Sequence, residues 1–250
     1  MSTWLLLRGW AREARHWGDF PAQLGTAIPG AQIVALDLPG NGRFCAQRSP
    51  LSIAAMVEES RQALRALGTQ PPYHLLGLSL GAMVSVEWAS RHSAEVAGCV
   101  LLNTSLRPFS AFHERLRPRH YATLLRLALL ERDAREREAA ILRLTSAASA
   151  PRTDVIAAWT RFAKEQPVSR GNVLRQLVAA SRYRAPDARP PVPVLVLASR
   201  GDRLVDAACS VNLARRWNAP IALHPTAGHD LTLDEGPWVA SQVQHWFRQI

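Results

Sequence analysis

Short apolar runs alternate with amphipathic stretches along most of the chain. The runs are bounded by Gly and Pro, which is typical of buried strands, and the stretches between them repeat apolar residues at helical spacing. Such alternation predicts an α/β fold: a doubly wound, mainly parallel sheet with helices on both faces. Six runs read as strands, at residues 5–7, 32–38, 73–76, 96–103, 192–199 and 221–224. Helices are expected around residues 17–24, 53–67, 80–89, 207–217 and 238–247.

The alternation stops between residues 106 and 190, where the composition turns helical and rich in Ala, Leu, Arg and Glu. Pro151, Pro167 and Gly171 predict a division into three or four helices. We therefore divide the chain into a core, residues 1–105 and 191–250, and a helical cap insertion, residues 106–190. The alternative is that these helices only pack on the sheet.

Charge is distributed unevenly between these parts. The net charge is +10, and the insertion has 17 Arg or Lys against 8 Asp or Glu, whereas the remainder has 13 against 12. Pairs such as Glu131 and Arg135 can form on a solvated helix face, but pairing does not explain a surplus. The surplus, which includes Arg132, Arg135 and Arg143, would steer an acidic partner to the insertion. Nucleic acid is a less favoured partner, because 29 of the 30 basic residues are Arg, which indicates a codon bias more than selection for phosphate binding.

Other function classes receive little support. Three cysteines without C-x-x-C or Cys/His spacing argue against a disulfide framework and a structural zinc, so we expect no metal and no cofactor. Arg8 interrupts the first apolar run well before it reaches the length of a signal peptide's apolar core. No stretch of the chain approaches the roughly 18 apolar residues of a membrane span. We expect a cytoplasmic protein that does not enter a membrane.

One motif carries the candidate chemistry. Residues 77–81 read Gly-Leu-Ser-Leu-Gly between a predicted strand and a predicted helix, the setting of a turn that presents a nucleophilic serine, here Ser79. The two glycines are expected where side chains would collide with the neighbouring strand and helix. A phosphate-binding turn is the alternative, but the G-x-G-x-x-G spacing is absent.

A serine hydroxyl needs a base to accept its proton and an acid to orient that base. Asp202 follows one predicted strand and His229 follows the next, so both should lie at the same sheet edge as Ser79. We predict His229 as the base and Asp202 as the acid. Asp206 and Asp230 are the alternative acids.

These residues together resemble the α/β-hydrolase superfamily. The resemblance covers essentially the whole chain and is carried by residues 77–81, Gly201-Asp202, Gly228-His229 and residues 37–42, Asp-Leu-Pro-Gly-Asn-Gly. Length and layout are similar to short capped esterases such as the pimeloyl-[acyl-carrier protein] methyl ester esterases. The resemblance implies an oxyanion hole formed by the backbone amides of Trp10 and Leu80.

Two departures from that family change the expectations. The chain has Arg8-Gly9 where the family usually has His-Gly, and it lacks room for two further strands before that point, which leaves about six. Arg8 either binds an acidic substrate group or, as the favoured interpretation, pairs with a protein carboxylate.

The residues and the resemblance together predict a serine hydrolase that cleaves a carboxylic ester or thioester through an acyl-enzyme. The substrate is expected to be a small ester, with an acyl carrier protein or coenzyme A thioester as the alternative that the basic insertion favours. A C–C bond hydrolase, a cofactor-free perhydrolase and a non-catalytic binding protein on the same scaffold are the rival interpretations. The oligomeric state is not indicated.

Overall fold

The computed structural model describes residues 2–150 and 152–250, without the side chains of residues 128 and 129, so the predicted break at Pro151 lies outside the described residues. Its sheet has six parallel strands in the order β2-β1-β3-β4-β5-β6, which confirms the predicted fold class. The strands are β1 (Thr3–Leu7), β2 (Gln32–Leu36), β3 (Tyr73–Leu78), β4 (Val96–Leu102), β5 (Val194–Ser199) and β6 (Ile221–His224).

Helices cover both faces of the sheet. Alternate residues of β1 show why, since Leu5 and Leu7 join one buried cluster while Trp4 and Leu6 join the other. The core helices are α1 (Phe20–Ala27), α2 (Ile53–Ala66), α3 (Leu80–Arg91), α9 (Ala208–Trp217) and α10 (Leu231–Phe247). Helices α2, α3 and α9 pack on the first face, and α1 and α10 on the second.

Two core helices differ from their predicted extent. The stretch around residue 17 forms a separate 3-10 turn, Ala14–Trp17, because Gly18 has a positive φ of 53° and α1 begins only at Phe20. The closing helix begins at Leu231, seven residues before the predicted start, and is interrupted at Glu235, two residues before Pro237. Pro237 accounts for a break in this region, because it lacks the amide that would bond to the Leu233 carbonyl and its ring clashes with that carbonyl.

The segment between β4 and β5 is helical, as its composition indicates. Among its described residues it contains a single-turn α-helix, a 3-10 helix at Pro118–His120 and four longer α-helices, against the three or four helices predicted. The domain boundaries at residues 106 and 190 stay a prediction. The helices are α4 (Phe112–Arg115), α5 (Tyr121–Leu129), α6 (Ala134–Thr145), α7 (Thr153–Glu165) and α8 (Arg170–Arg182).

The turn between β3 and α3 depends on two close backbone approaches. A Cβ atom on Gly77 would lie 2.6 Å from the Ala82 nitrogen, and one on Gly81 would overlap the Leu7 carbonyl group. Both glycines are therefore required by packing, because the backbone of α3, which Gly77 approaches, and that of β1, which Gly81 approaches, cannot move aside cheaply.

Gly81→Ala is predicted to destabilise the protein by about 2–3 kcal/mol, because the added methyl must push α3 away from β1. The measurement is urea unfolding, with a lower midpoint and an unchanged m value. The matched control is Gly25→Ala in α1, where the nearest atom, Ile33 Cγ1, would be 3.8 Å from the new Cβ. That variant should be neutral or slightly stabilising, and equal destabilisation by both substitutions would contradict this account of the turn.

Candidate active site

Ser79 occupies the turn between β3 and α3 in a strained conformation. Its φ is 54°, a left-handed value that is uncommon for a residue with a side chain. Its amide donates to the Leu102 carbonyl at 3.0 Å, while its carbonyl accepts from the Ala82 amide at 3.0 Å. The hydroxyl is thereby presented above the carboxyl edge of the sheet, where the half-buried Ser79 lines a cavity of about 920 Å³.

Asp202 is immobilised just beyond β5. Its Oδ1 accepts hydrogen bonds from the amides of Leu204 at 2.8 Å and Val205 at 3.0 Å. Its Oδ2 lies 2.7 Å from Nδ1 of His229. Since a carboxylate can only accept here, Nδ1 carries a proton, and Nε2 is left as the basic nitrogen of the neutral ring.

His229 is buried at the wall of the cavity that Ser79 lines. Burial alone would lower the pKa of its imidazole, but the charge and hydrogen bond of Asp202 and the charge of Asp230 raise that pKa above 6.5. No hydrogen bond joins Ser79 to His229 in the described structure, a common situation for catalytic pairs without a bound substrate. The structure thus brings Asp202 and His229 into contact and Ser79 into the same cavity.

Asn103, which the sequence did not single out, ties the loops of the acid and the base together. Its Oδ1 accepts from the Ser199 amide at 2.9 Å, and its Nδ2 donates to the carbonyls of Gly228 at 3.2 Å and His229 at 2.9 Å. It follows β4 with a φ of 42°, a conformation that Asn tolerates better than most residues. The sequence feature that could have identified Asn103 is its position directly after a predicted buried strand.

Arg8 forms a buried ion pair with Asp230. The two terminal nitrogens of its guanidinium donate to the two carboxylate oxygens at 3.1 and 2.5 Å, and the group also lies 4.7 Å from the ring centre of Trp17. This is the second of the two alternatives for Arg8, pairing with a protein carboxylate. The pair clamps the loop after β1 to the residue that follows His229.

The alternative acids have other partners. Asp230 forms its ion pair with Arg8. Asp206 accepts hydrogen bonds from Arg117 at 3.3 Å and from the Ala208 amide at 2.9 Å. Asp202 is the acid that His229 contacts.

The two amides predicted to form the oxyanion hole belong to Leu80, which follows Ser79 directly, and to Trp10, whose preceding residue Gly9 approaches Ser79. The Leu80 amide is the first of α3, so it has no acceptor within the helix. The loop that carries Trp10 follows Gly9, at which a Cβ atom would be 3.6 Å from Cβ of Ser79. Neither amide donates a hydrogen bond to any residue that the structure describes, so both are available to an oxygen in the cavity.

Apolar side chains of the insertion cover much of the cavity. Helices α5 and α6 contribute Leu124, Leu127, Ile141 and Leu144 to its wall. Of the three arginines proposed to attract a partner, all are exposed, but only Arg132 lines the cavity. Arg135 and Arg143 lie elsewhere on the surface.

The described residues contain neither a metal-binding cluster nor a membrane-spanning helix. Within residues 2–150 and 152–250 there is no group of three or more His, Cys, Asp or Glu side chains arranged to hold a metal ion. In the same residues, every helix is too short or too polar to cross a membrane.

Known proteins with similar sequence match limited stretches. The chain is 33% identical over 96 residues to Protein ABHD14A of Danio rerio, covering 38% of this chain and 35% of that protein. It is 35% identical over 106 residues to RutD of Variovorax paradoxus (strain S110), provisionally named as a carbamate hydrolase, covering 42% and 38%. The chain thus spans well under half the length of either relative.

Solved structures match over nearly the whole chain. An esterase from Exiguobacterium antarcticum superimposes with a TM-score of 0.79 at 13% identity, covering 99% of this chain and 92% of that one. The esterase RhEst1 from Rhodococcus sp. ECU1013 gives 0.77 at 21% identity, covering 99% and 90%. At such identities these likenesses establish the fold. The model of the alpha/beta hydrolase family matches residues 4–242, and the six-stranded parallel sheet agrees with that match. This chain belongs to the alpha/beta hydrolase family.

Proposed function

We propose that this protein is a serine hydrolase that cleaves a carboxylic ester or thioester through an acyl-enzyme intermediate. The observation that carries the proposal is the buried hydrogen bond of 2.7 Å from His229 Nδ1 to Asp202, at the cavity that Ser79 lines. An imidazole held in this tautomer presents Nε2 as a base, and a strained serine at the same cavity is the group that such a base activates.

The reaction follows from these roles. Ser79 Oγ attacks the substrate carbonyl while His229 Nε2 accepts its proton, and Asp202 stabilises the imidazolium that forms. The amides of Trp10 and Leu80 donate to the carbonyl oxygen as it becomes negative. His229 then gives the proton to the departing alcohol or thiol. Water, deprotonated by the same histidine, releases the acid and restores the serine.

The cavity wall indicates an ester with an apolar portion. Side chains such as Leu124, Leu127, Ile141 and Leu144 offer an aliphatic surface, and about 920 Å³ is ample for a small-molecule ester. The similarity in fold to two esterases is consistent with this substrate class. A C–C hydrolase or a perhydrolase would use the same three residues and would also turn over activated esters, so these alternatives are separated by comparing kcat/KM for an ester, for a C–C substrate and for hydrogen peroxide as acyl acceptor. A binding protein without activity would show no turnover.

Ser79→Ala is predicted to abolish covalent labelling by a fluorophosphonate probe and to lower kcat for p-nitrophenyl acetate by at least about 10⁴-fold, because the nucleophile is removed. The matched control is Ser90→Ala, a half-buried serine further along α3 that donates to the Val86 carbonyl. The control should label normally. Labelling that persists in Ser79→Ala would contradict the assignment of the nucleophile.

The pH dependence of kcat/KM tests the role of His229. Only the neutral imidazole can accept the serine proton, so kcat/KM rises as pH rises through the pKa of His229. Asp202 and Asp230 hold that pKa above 6.5 despite burial, so the half-maximum should lie above pH 6.5. Asp202→Asn should move it to lower pH and lower the plateau by about 10⁴-fold. A half-maximum below pH 6.5 in the unmodified protein would contradict this account.

The charge of the insertion supports a second candidate function, hydrolysis of an ester or thioester carried by an acidic acyl carrier protein or by coenzyme A. Arg132, Arg135 and Arg143 are exposed on the segment with the excess of positive charge, and Arg132 reaches the cavity. Long-range attraction would raise the rate of encounter with an anionic donor.

Glu substitutions at Arg132, Arg135 and Arg143 together are predicted to lower kcat/KM for a carrier-bound ester by about tenfold at low salt and to weaken its salt dependence. The value for p-nitrophenyl acetate should change less than twofold. The matched control is Arg65→Glu, which reverses an exposed charge on α2 of the core. An unchanged kcat/KM and salt dependence for the carrier-bound ester would rule out steering by these arginines.

A further inference from the structure

The turn that carries the Trp10 amide has an unfavourable backbone conformation. The Arg12 amide donates to the Gly9 carbonyl at 3.2 Å, which closes a four-residue turn. Trp10 at its second position has a negative φ, whereas Ala11 at its third has a φ of 53°. These signs define a type II turn, whose third position is normally Gly, because other residues resist a positive φ. An alanine there requires support from outside the turn.

That support comes from α8 of the insertion. The Ala11 amide donates to Gln176 Oε1 at 2.9 Å, and the indole Nε1 of Trp10 donates to the Val173 carbonyl at 2.8 Å. The two acceptors are one helical turn apart on α8. Both central residues of the turn are therefore tethered to the same helix, which lies 160 residues or more further along the chain.

The side-chain amide of Gln176 can point in only one direction. Its Nε2 donates to Asn41 Oδ1 at 2.7 Å and to Ser49 Oγ at 3.0 Å. Asn41 must present its oxygen there, because its own Nδ2 donates to the Arg12 carbonyl at 2.9 Å. Ser49 must accept there, because its hydroxyl donates to the Pro39 carbonyl at 2.7 Å. Gln176 is fully buried, and its side-chain oxygen Oε1 is therefore the atom that faces the turn.

We propose that Gln176 is a positioning residue for the oxyanion hole: by accepting from the Ala11 amide it maintains the turn that aims the Trp10 amide at the developing oxyanion. The inference rests on the proposed function and assigns a catalytic contribution to the insertion, beyond substrate binding. Without this acceptor the part-buried Ala11 amide loses the protein partner that the structure gives it, the positive φ loses its support, and the turn relaxes. An oxyanion forms only on the way through the transition state, so the loss falls on kcat and not on KM.

The test is Gln176→Met, which keeps the length of the side chain and removes the acceptor. We expect kcat for p-nitrophenyl acetate to fall by about 10- to 100-fold with KM within about twofold, since one oxyanion donor is misaligned and not removed. The Ki of phenylboronic acid should weaken by a similar factor, because its tetrahedral adduct with Ser79 uses the same donors. A purely structural role for Gln176 would not link these two quantities.

The matched control is Asn172→Leu, four residues earlier on the same helix. Asn172 is equally part of the buried network, but its bonds go to Gln47 and Ser49, at 2.8 and 2.9 Å, and to Gly40. This variant should lower the melting temperature as Gln176→Met does and keep kcat within twofold. Adding Ala11→Gly to Gln176→Met should recover part of kcat, because Gly adopts a positive φ without support.

Failure of the inference about Gln176 and failure of the proposed function give different results. A kcat for Gln176→Met equal to that of Asn172→Leu, or a loss that Ala11→Gly leaves unimproved, overturns the inference. If Gln176→Met does not fold, Trp10→Phe removes the other tether, and we expect a several-fold loss in kcat at constant KM; an unchanged kcat overturns the inference there too. Turnover that survives in Ser79→Ala defeats the proposed function instead, whatever Gln176 does.

Discussion

The hydrogen bond between His229 and Asp202 joins two loops that leave neighbouring strands, and the candidate site is organised around it. A buried imidazole is unfavourable as a cation, yet the carboxylate 2.7 Å away raises its pKa and selects its tautomer. For that contact to form, Asp202 must be held by backbone amides, and the His229 loop must be fixed by Asn103 and by the ion pair of Arg8 with Asp230. Each support lies at the carboxyl edge of the parallel sheet, where such folds place their ligands.

The insertion contributes to the site from above the sheet. Its helices supply apolar wall to the cavity, and α8 contacts the loop after β1 through Gln176 and Val173. The end of α6 contacts the other side of the site, because the Thr145 carbonyl accepts from the Asp230 amide at 2.8 Å. Loops of the core and helices of the insertion therefore form one connected structure around the cavity.

Local patterns were sufficient for most of the fold and for part of the site. Six apolar runs predicted six strands, since a strand buried on both faces leaves a short continuous signature. Gly77 and Gly81 placed Ser79 on a turn, and position after a strand selected Asp202 and His229. What the sequence could not reveal depends on contacts between distant segments: the pairing of Arg8 with Asp230 spans 222 residues, and no local pattern indicates that Gln176 faces Ala11. The volume of the cavity likewise depends on how five helices pack, which periodicity does not determine.

The most direct test of the central claim is a crystal structure of the protein after reaction with a phosphonate ester, which leaves a stable tetrahedral adduct. This account predicts phosphorus bonded to Ser79 Oγ, the imidazole of His229 within hydrogen-bond distance of that oxygen while still bonded to Asp202, and a phosphonyl oxygen about 2.7–3.1 Å from the amide nitrogens of Trp10 and Leu80. An adduct on a different residue, or one in which the imidazole of His229 remains out of reach of Ser79, would contradict it.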